Sequence, residues 1–257
     1  MKAEIQRKEL ICVLTPIEMC IYVLQKNLEN TFRVYLFLKL NYKDGKVKFT
    51  KSKTKFLADS LNVTTRTIRS QIKKIIELGW IRINTKTQYY ILSSIDNIRV
   101  NNGWVTRASI EIYFEDIHCI RAILGAALYG YLHKDFWRKV KREKSVLLKG
   151  NTYHFLSPSF NYKNQFAPVS VIGVHKIFNI SQAKASRIKK LASNAGYIKV
   201  KKKFKKIGLS KMDVVYSKKY DTNNSQNIIF KNKSYYLQQI DHIRPFFDIR
   251  KRKKLET

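Results

Sequence analysis

The stretch Asn62–Ile83, "NVTTRTIRSQIKKIIELGWIRI", constrains the fold more than any other part of the chain. Val63, Ile68, Ile72, Ile75 and Ile76 recur at helical spacing on one face, and Thr65, Arg66, Arg69, Ser70 and Lys73 fall on the other. Gly79 can take the left-handed conformation that a helix C-terminus favours, so the helix ends beside it. Two β-prone runs, "WIRIN" and "QYYILS", follow across a short "TKT" turn and predict a hairpin. Such a helix must lay its apolar side on a core. Its other side carries cations and hydroxyls without an acid among them, and so suits an anionic partner.

Upstream, Thr15 before Pro16 predicts an N-cap and a first-turn proline, with a helix from Pro16 to about Asn27. Thr31 is placed to cap a second, buried helix running to Tyr42. "KDG" makes a turn, "KVKFT" alternates as a short strand, and Ser52 or Lys53 opens a helix through "KFLADSL".

The order is therefore helix, strand, helix, helix, hairpin. Leu57 and Ala58 stand in the first helix of the pair and Val63 and Thr64 in the turn. Ile68, Ile72 and Ile75 line the second helix, and Gly79-Trp80-Ile81 leads to the hairpin. This pattern resembles a winged helix-turn-helix domain over roughly residues 29 to 93. The resemblance implies that the face from Thr65 to Lys73 enters a DNA major groove, with Arg82 and Lys86 in a wing along the backbone. Trp80 reads as a core residue at the base of that wing.

The same punctuation returns in "NISQAKASRIKKLASNAGYIKV". Ile180, Ser181, Gly196, Tyr197, Ile198 and Val200 match Val63, Thr64, Gly79, Trp80, Ile81 and Ile83, all 117 positions further on. Such self-similarity predicts two copies of one unit. Ile188 and Leu191 fall one place early relative to Ile72 and Ile75. By analogy the second groove face is Gln182, Ser186, Arg187 and Lys190, and Tyr197 is a second wing-base core residue.

Glu115 to His133 reads as the first helix of the second unit, followed by a longer connection with a strand at "TYHFL". "YIKVKKKFKKIG" and "KMDVVYS" read as a large basic wing in which Lys199, Lys201, Lys203 and Lys205 meet phosphates. No Asp or Glu occurs from Lys144 to Met212, which makes this half the stronger electrostatic anchor.

The expected fold class is α+β, mainly α, with two winged helix-turn-helix domains in tandem. Residues 1–28 form an N-terminal helical segment, 29–100 the first domain, 101–220 the second, and 221–257 an extension with a basic tail. "SSIDNIRVNNGW" is the expected linker between the halves. "IIFKNKSYYLQQIDHI" is expected to add a strand or a helix to the second domain, and "IRKRKK" to be disordered.

Composition narrows the partner. Fifty-one Lys and Arg against 18 Asp and Glu give a formal net charge of +33, while 44% hydrophobic content with 12% aromatics is enough to fill cores. A folded chain with that charge calls for a polyanion, and double-stranded DNA is the expected partner. RNA or a ribosome remains open as a further class. A membrane surface is a second polyanion by charge. The longest apolar run, Ala122 to Leu132, however, is about half of the roughly 20 residues that a membrane-spanning helix needs, so no transmembrane segment is expected, and no membrane is among the expected partners. The apolar N-terminal run contains Glu18 and lacks a cleavage signal, which points to the cytoplasm.

Cys12, Cys20 and Cys119 have no metal-binding spacing and read as reduced, mostly buried thiols, so neither zinc nor any other cofactor is expected. "HCIR", His118 to Arg121, resembles the His-x-x-Arg of tyrosine recombinases, with Tyr153 downstream as a conceivable nucleophile. The rest of that family's pattern is missing, and no enzymatic role is expected. The tandem arrangement resembles the replication initiators of plasmids and mobile elements, which implies replication machinery as a second partner. Transcription regulation by the same binding mode stays open, as does oligomeric state.

Overall fold

A computed structural model describes residues 12–143, 145–148, 151–154, 161–208 and 228–253 of the protein. The fold is α+β, with helices packed on small antiparallel sheets. The first half runs β1 (Cys12–Pro16), α1 (Ile17–Gln25), α2 (Glu29–Asn41), β2 (Lys46–Val47), α3 (Lys51–Ser60), α4 (Thr65–Glu77), β3 (Ile81–Asn84), β4 (Tyr89–Leu92), α5 (Ile95–Asn101) and β5 (Ala108–Tyr113). The second runs α6 (Ile120–Glu143), β6 (Ser145–Leu148), β7 (Asn151–His154), β8 (Ala167–Pro168), α7 (Val171–Phe178), α8 (Gln182–Asn194), β9 (Ile198–Lys201), β10 (Phe204–Gly208), β11 (Ile228–Lys231), β12 (Ser234–Gln238), β13 (His242–Pro245) and β14 (Arg250–Lys251).

In the first half α4 buries Ile68, Ile72 and Ile75, each worth on the order of 2 kcal/mol of transfer free energy. Trp80 is 1% exposed, with its ring centroid 5.3 Å from Tyr35 and 6.0 Å from Phe32 of α2. Strands β2, β4 and β3 close this unit in the order β2-β4-β3. The second half repeats the scheme: β8, β13 and β9 pair as β8-β13-β9 against α6 and α8, and α7 packs on α8. In both sheets the strand that comes last in the chain lies in the middle.

The repeat extends to individual hydrogen bonds. Thr64 caps α4 by accepting from the Thr67 amide at 3.1 Å, and Ser181 caps α8 by accepting from the Lys184 amide at 3.2 Å. Asn62 and Asn179 both take positive φ, 51° and 46°, in the turns before these helices. Gly79 and Gly196 follow them at φ 69° and 78°. The Gly79 amide donates to Ile76 O and the Trp80 amide to Ile75 O. Gly196 and Tyr197 donate to Ser193 O and Ala192 O. This is a Schellman ending twice over.

The second copy differs where its helices meet. A Cβ at Gly125 of α6 would stand 2.7 Å from Ile188 Cβ and 2.8 Å from Ile188 O, so α6 and α8 approach to backbone contact. Small Ala185 and Ala192 are buried there beside Ile188, and the Tyr129 hydroxyl donates to Ala185 O at 3.1 Å. Buried Ala192 occupies the place matching Ile75, while Leu191 is only half-buried. The early apolar position is thus a closer helix crossing, with the helix bounds themselves kept.

Several expectations are corrected. Thr15 does not cap α1. It is buried in β1, its hydroxyl donating to Val13 O at 3.3 Å, and Pro16 holds the cap position. Thr31 caps nothing either: α2 starts at Glu29, and the buried Thr31 hydroxyl donates to Gln71 Oε1 of α4 at 2.6 Å. The strand in "KVKFT" is only Lys46–Val47, because Thr50 turns out to cap α3 by accepting from the Lys53 amide at 3.2 Å. Helix α3 therefore opens at Lys51, ahead of Ser52 and Lys53. The long helix of the second half begins at Ile120 after a 3-10 turn at Glu115–Cys119, and runs past His133 to Glu143.

The expected linker is folded. Ser94 caps α5 at 3.0 Å, and Ile95, Ile98 and Arg99 are buried. The expected disordered tail is held too: β14 pairs with β5, and Arg252 binds Asp96 at 2.8 Å and Leu14 O. Sheet β1-β5-β14 so ties the N-terminal, middle and C-terminal segments together. The second wing is also redrawn, because β9 pairs with β13 and β10 with β12, both from the segment expected to be an extension. "KMDVVYS" lies outside the described residues. "TYHFL" contributes β7, Asn151–His154.

Candidate nucleic-acid interface

Helix α4 is turned so that its isoleucines face α2, which leaves the opposite side in solvent. Thr65, Arg66, Arg69, Ser70 and Lys73 are all exposed there, and so are Arg82 on β3 and Lys86 in the hairpin turn. Asn84 shapes that turn, its side-chain oxygen accepting from the Lys86 and Thr87 amides at 3.0 and 3.2 Å. Beside α4, a cleft of about 410 Å³ brings Arg69 and Lys73 together with Thr50, Lys51 and Tyr90. Thr50 and Lys51 at the start of α3 line it, so the positive end of that helix's dipole adds to the side-chain charge. Lys51 and this helix start were not anticipated. The signal was present in Thr50 followed by "KSK".

Helix α8 sorts its cations by side. Lys184 reaches Glu29 at 3.0 Å and Lys189 binds Asp241; both are largely buried. Gln182, Ser186, Arg187 and Lys190 are exposed on the remaining surface. Among the described residues no carboxylate forms an ion pair with Arg187 or Lys190, nor with Arg66, Arg69, Lys73, Arg82 or Lys86. Carboxylates neutralise the inward lysines of α8 and leave its outward charges free.

Lys199, Lys201, Lys203 and Lys205 are exposed along the ribbon that leaves α8. Lys199 and Lys201 pair with Arg244 and His242 across β9 and β13, and the Lys203 carbonyl accepts from the Gln239 amide at 2.8 Å, so the lysines sit on ordered backbone. Burial and then the charges of Lys203 and Lys201 push the His242 pKa below its ordinary value, against the opposing charge of Asp241. The local field is positive. Tyr197 is half-buried and its hydroxyl donates to Asp116 Oδ1 at 2.5 Å, which fixes the base of this ribbon.

The recombinase-like residues find other partners. His118 Nδ1 lies 3.1 Å from an Arg33 nitrogen, Arg121 lies 3.8 Å from Glu29, and the Tyr153 side chain is outside those described. Cys20 is buried and Cys12 half-buried, whereas Cys119 is exposed. Among the described residues no group of three or more His, Cys, Asp or Glu could hold a metal ion, and no helix is long and apolar enough to cross a membrane. No protein-family model, curated protein or solved structure matches this chain.

Proposed function

We propose that the protein binds double-stranded DNA sequence-specifically through two winged helix-turn-helix units, with α4 and α8 as recognition helices. One observation carries this reading. A 13-residue helix with the same hydroxyl N-cap and the same glycine ending occurs in both halves, next to a sheet of the same strand order, and each copy turns unpaired cations outward. Arg66, Arg69 and Arg187 can hold guanine edges bidentately, while hydroxyls and Gln182 add further base or phosphate contacts. Lys199, Lys201, Lys203 and Lys205 supply phosphate contacts that bind any sequence.

Within this class the narrower reading is a replication initiator of a plasmid or mobile element, supported by two reading units in one chain. An initiator also recruits replication proteins, whereas a transcription regulator need only occupy its site. Competition tests the class itself. Duplex DNA should displace bound structured RNA from the full chain, and Arg69→Ala with Arg187→Ala should abolish that advantage. Failure of duplex to displace RNA would favour an RNA-binding role.

A further inference from the structure

Sheet β10-β12-β11 carries apolar side chains that lie outside the core formed by the described residues. Ile228 pairs with Leu237 and Phe230 with Tyr235 across the strands, and side chains two apart on a strand share a face. Among the described residues none of these four belongs to the core or packs against it, and Ile228, Tyr235 and Leu237 are half-buried. Phe230 is 62% exposed. Its ring stands 4.8 Å from that of Tyr235, tilted by 48°. On the other side of Tyr235 the β10 partner is Gly208, which has no side chain to cover the ring. An aromatic face held outside the core marks a binding surface.

Charge selects the occupant. Lys205 pairs with Leu237 on this same face, and Lys231 and Lys233 are exposed at the β11–β12 turn. The described strands and turn of this sheet contain no Asp or Glu. Flat rings ringed by cations suit a polyanion that also offers flat aromatic groups. A duplex hides the faces of its bases in the stack, so only unpaired bases can lie on the rings. We infer that this sheet binds single-stranded nucleic acid, stacking bases on Phe230 and Tyr235 with phosphates near Lys231 and Lys233. No residue of α4 or α8 takes part.

The test titrates the full chain into labelled oligo(dT), which cannot pair with itself, and in parallel into oligo(rU) and duplex DNA. The tighter-binding of the two strands identifies the ligand as DNA or RNA. For that strand Phe230→Ala should weaken binding about tenfold, the size of one lost stacking contact, and leave duplex affinity unchanged. Phe230→Trp should retain strand binding, while Phe230→Leu, with apolar bulk but no ring, should not. Unchanged strand binding in Phe230→Ala, or an equal loss on duplex, overturns the inference. So does loss of strand binding in Arg69→Ala with Arg187→Ala, which would place the strand on the duplex site. A smaller sedimenting species in Phe230→Ala also overturns it, by making the sheet a contact between copies.

Discussion

Residues of one charge do different work here according to what faces them. Arg69 is exposed, unpaired and on the outward side of α4, where a guanidinium can discriminate bases. Arg69→Ala should therefore relax sequence preference. Lys201→Ala with Lys203→Ala should instead weaken binding to all sequences and flatten the salt dependence by about two units, one per phosphate contact. Affinities on a preferred and a random duplex across a salt series check both, and equal effects of the two changes on both duplexes would contradict the division. Asp96 shows the opposite use of charge. Burial opposes its ionisation, but hydrogen bonds from Arg252 and Arg99, with their charges, outweigh this and hold its pKa below the ordinary value. Its contribution is therefore present above about pH 4, the unfolded value, and is lost as pH falls through the lower folded value. Asp96→Asn should lower the denaturation midpoint at neutral pH, and the difference should vanish in acid. A difference that persists or grows in acid would rule out this ion pair as the cause.

Elements with strong local signals were legible, and those that depend on distant partners were not. Helix α4 combines apolar period, hydroxyl cap and glycine ending in one stretch, so tertiary context had nothing to override. Thr15 and Thr31 offered the same cap chemistry, yet the Val13 carbonyl and the Gln71 side chain claimed their hydroxyls. In α5 a polar stretch hid the spacing of Ile95, Ile98 and Arg99, although Ser94 was a readable cap. The apolar segment of α7 carried no assignment, despite Ser170 as its cap and Asn179 at its left-handed end. The central strand β13 could not be read locally, because β9 finds it far along the chain. The crossing of α6 over α8 gives the element-scale prediction. Gly125→Ala should destabilise the protein by about 1–3 kcal/mol, since the added methyl meets the Ile188 backbone, which cannot swing aside. Urea unfolding measures this, and an unchanged midpoint would mean that the helices do not cross so closely.

Across the whole molecule, the C-terminal segment completes what the earlier chain begins. β13 fills the centre of the second sheet and β14 the edge of the sheet built on β1 and β5. Glu29 at the start of α2 meets Lys184 of α8 and Arg121 of α6, so the two halves also touch through charge. If α4 and α8 read grooves as proposed, one chain could contact two half-sites without a second protomer. Selection from a random duplex pool followed by footprinting tests this most directly. Recovery of two recurring half-sites, their centres about one helical turn or ~10 base pairs apart and both protected together, is the expected result. A single half-site, or a pool that stays random while binding remains tight, would contradict it.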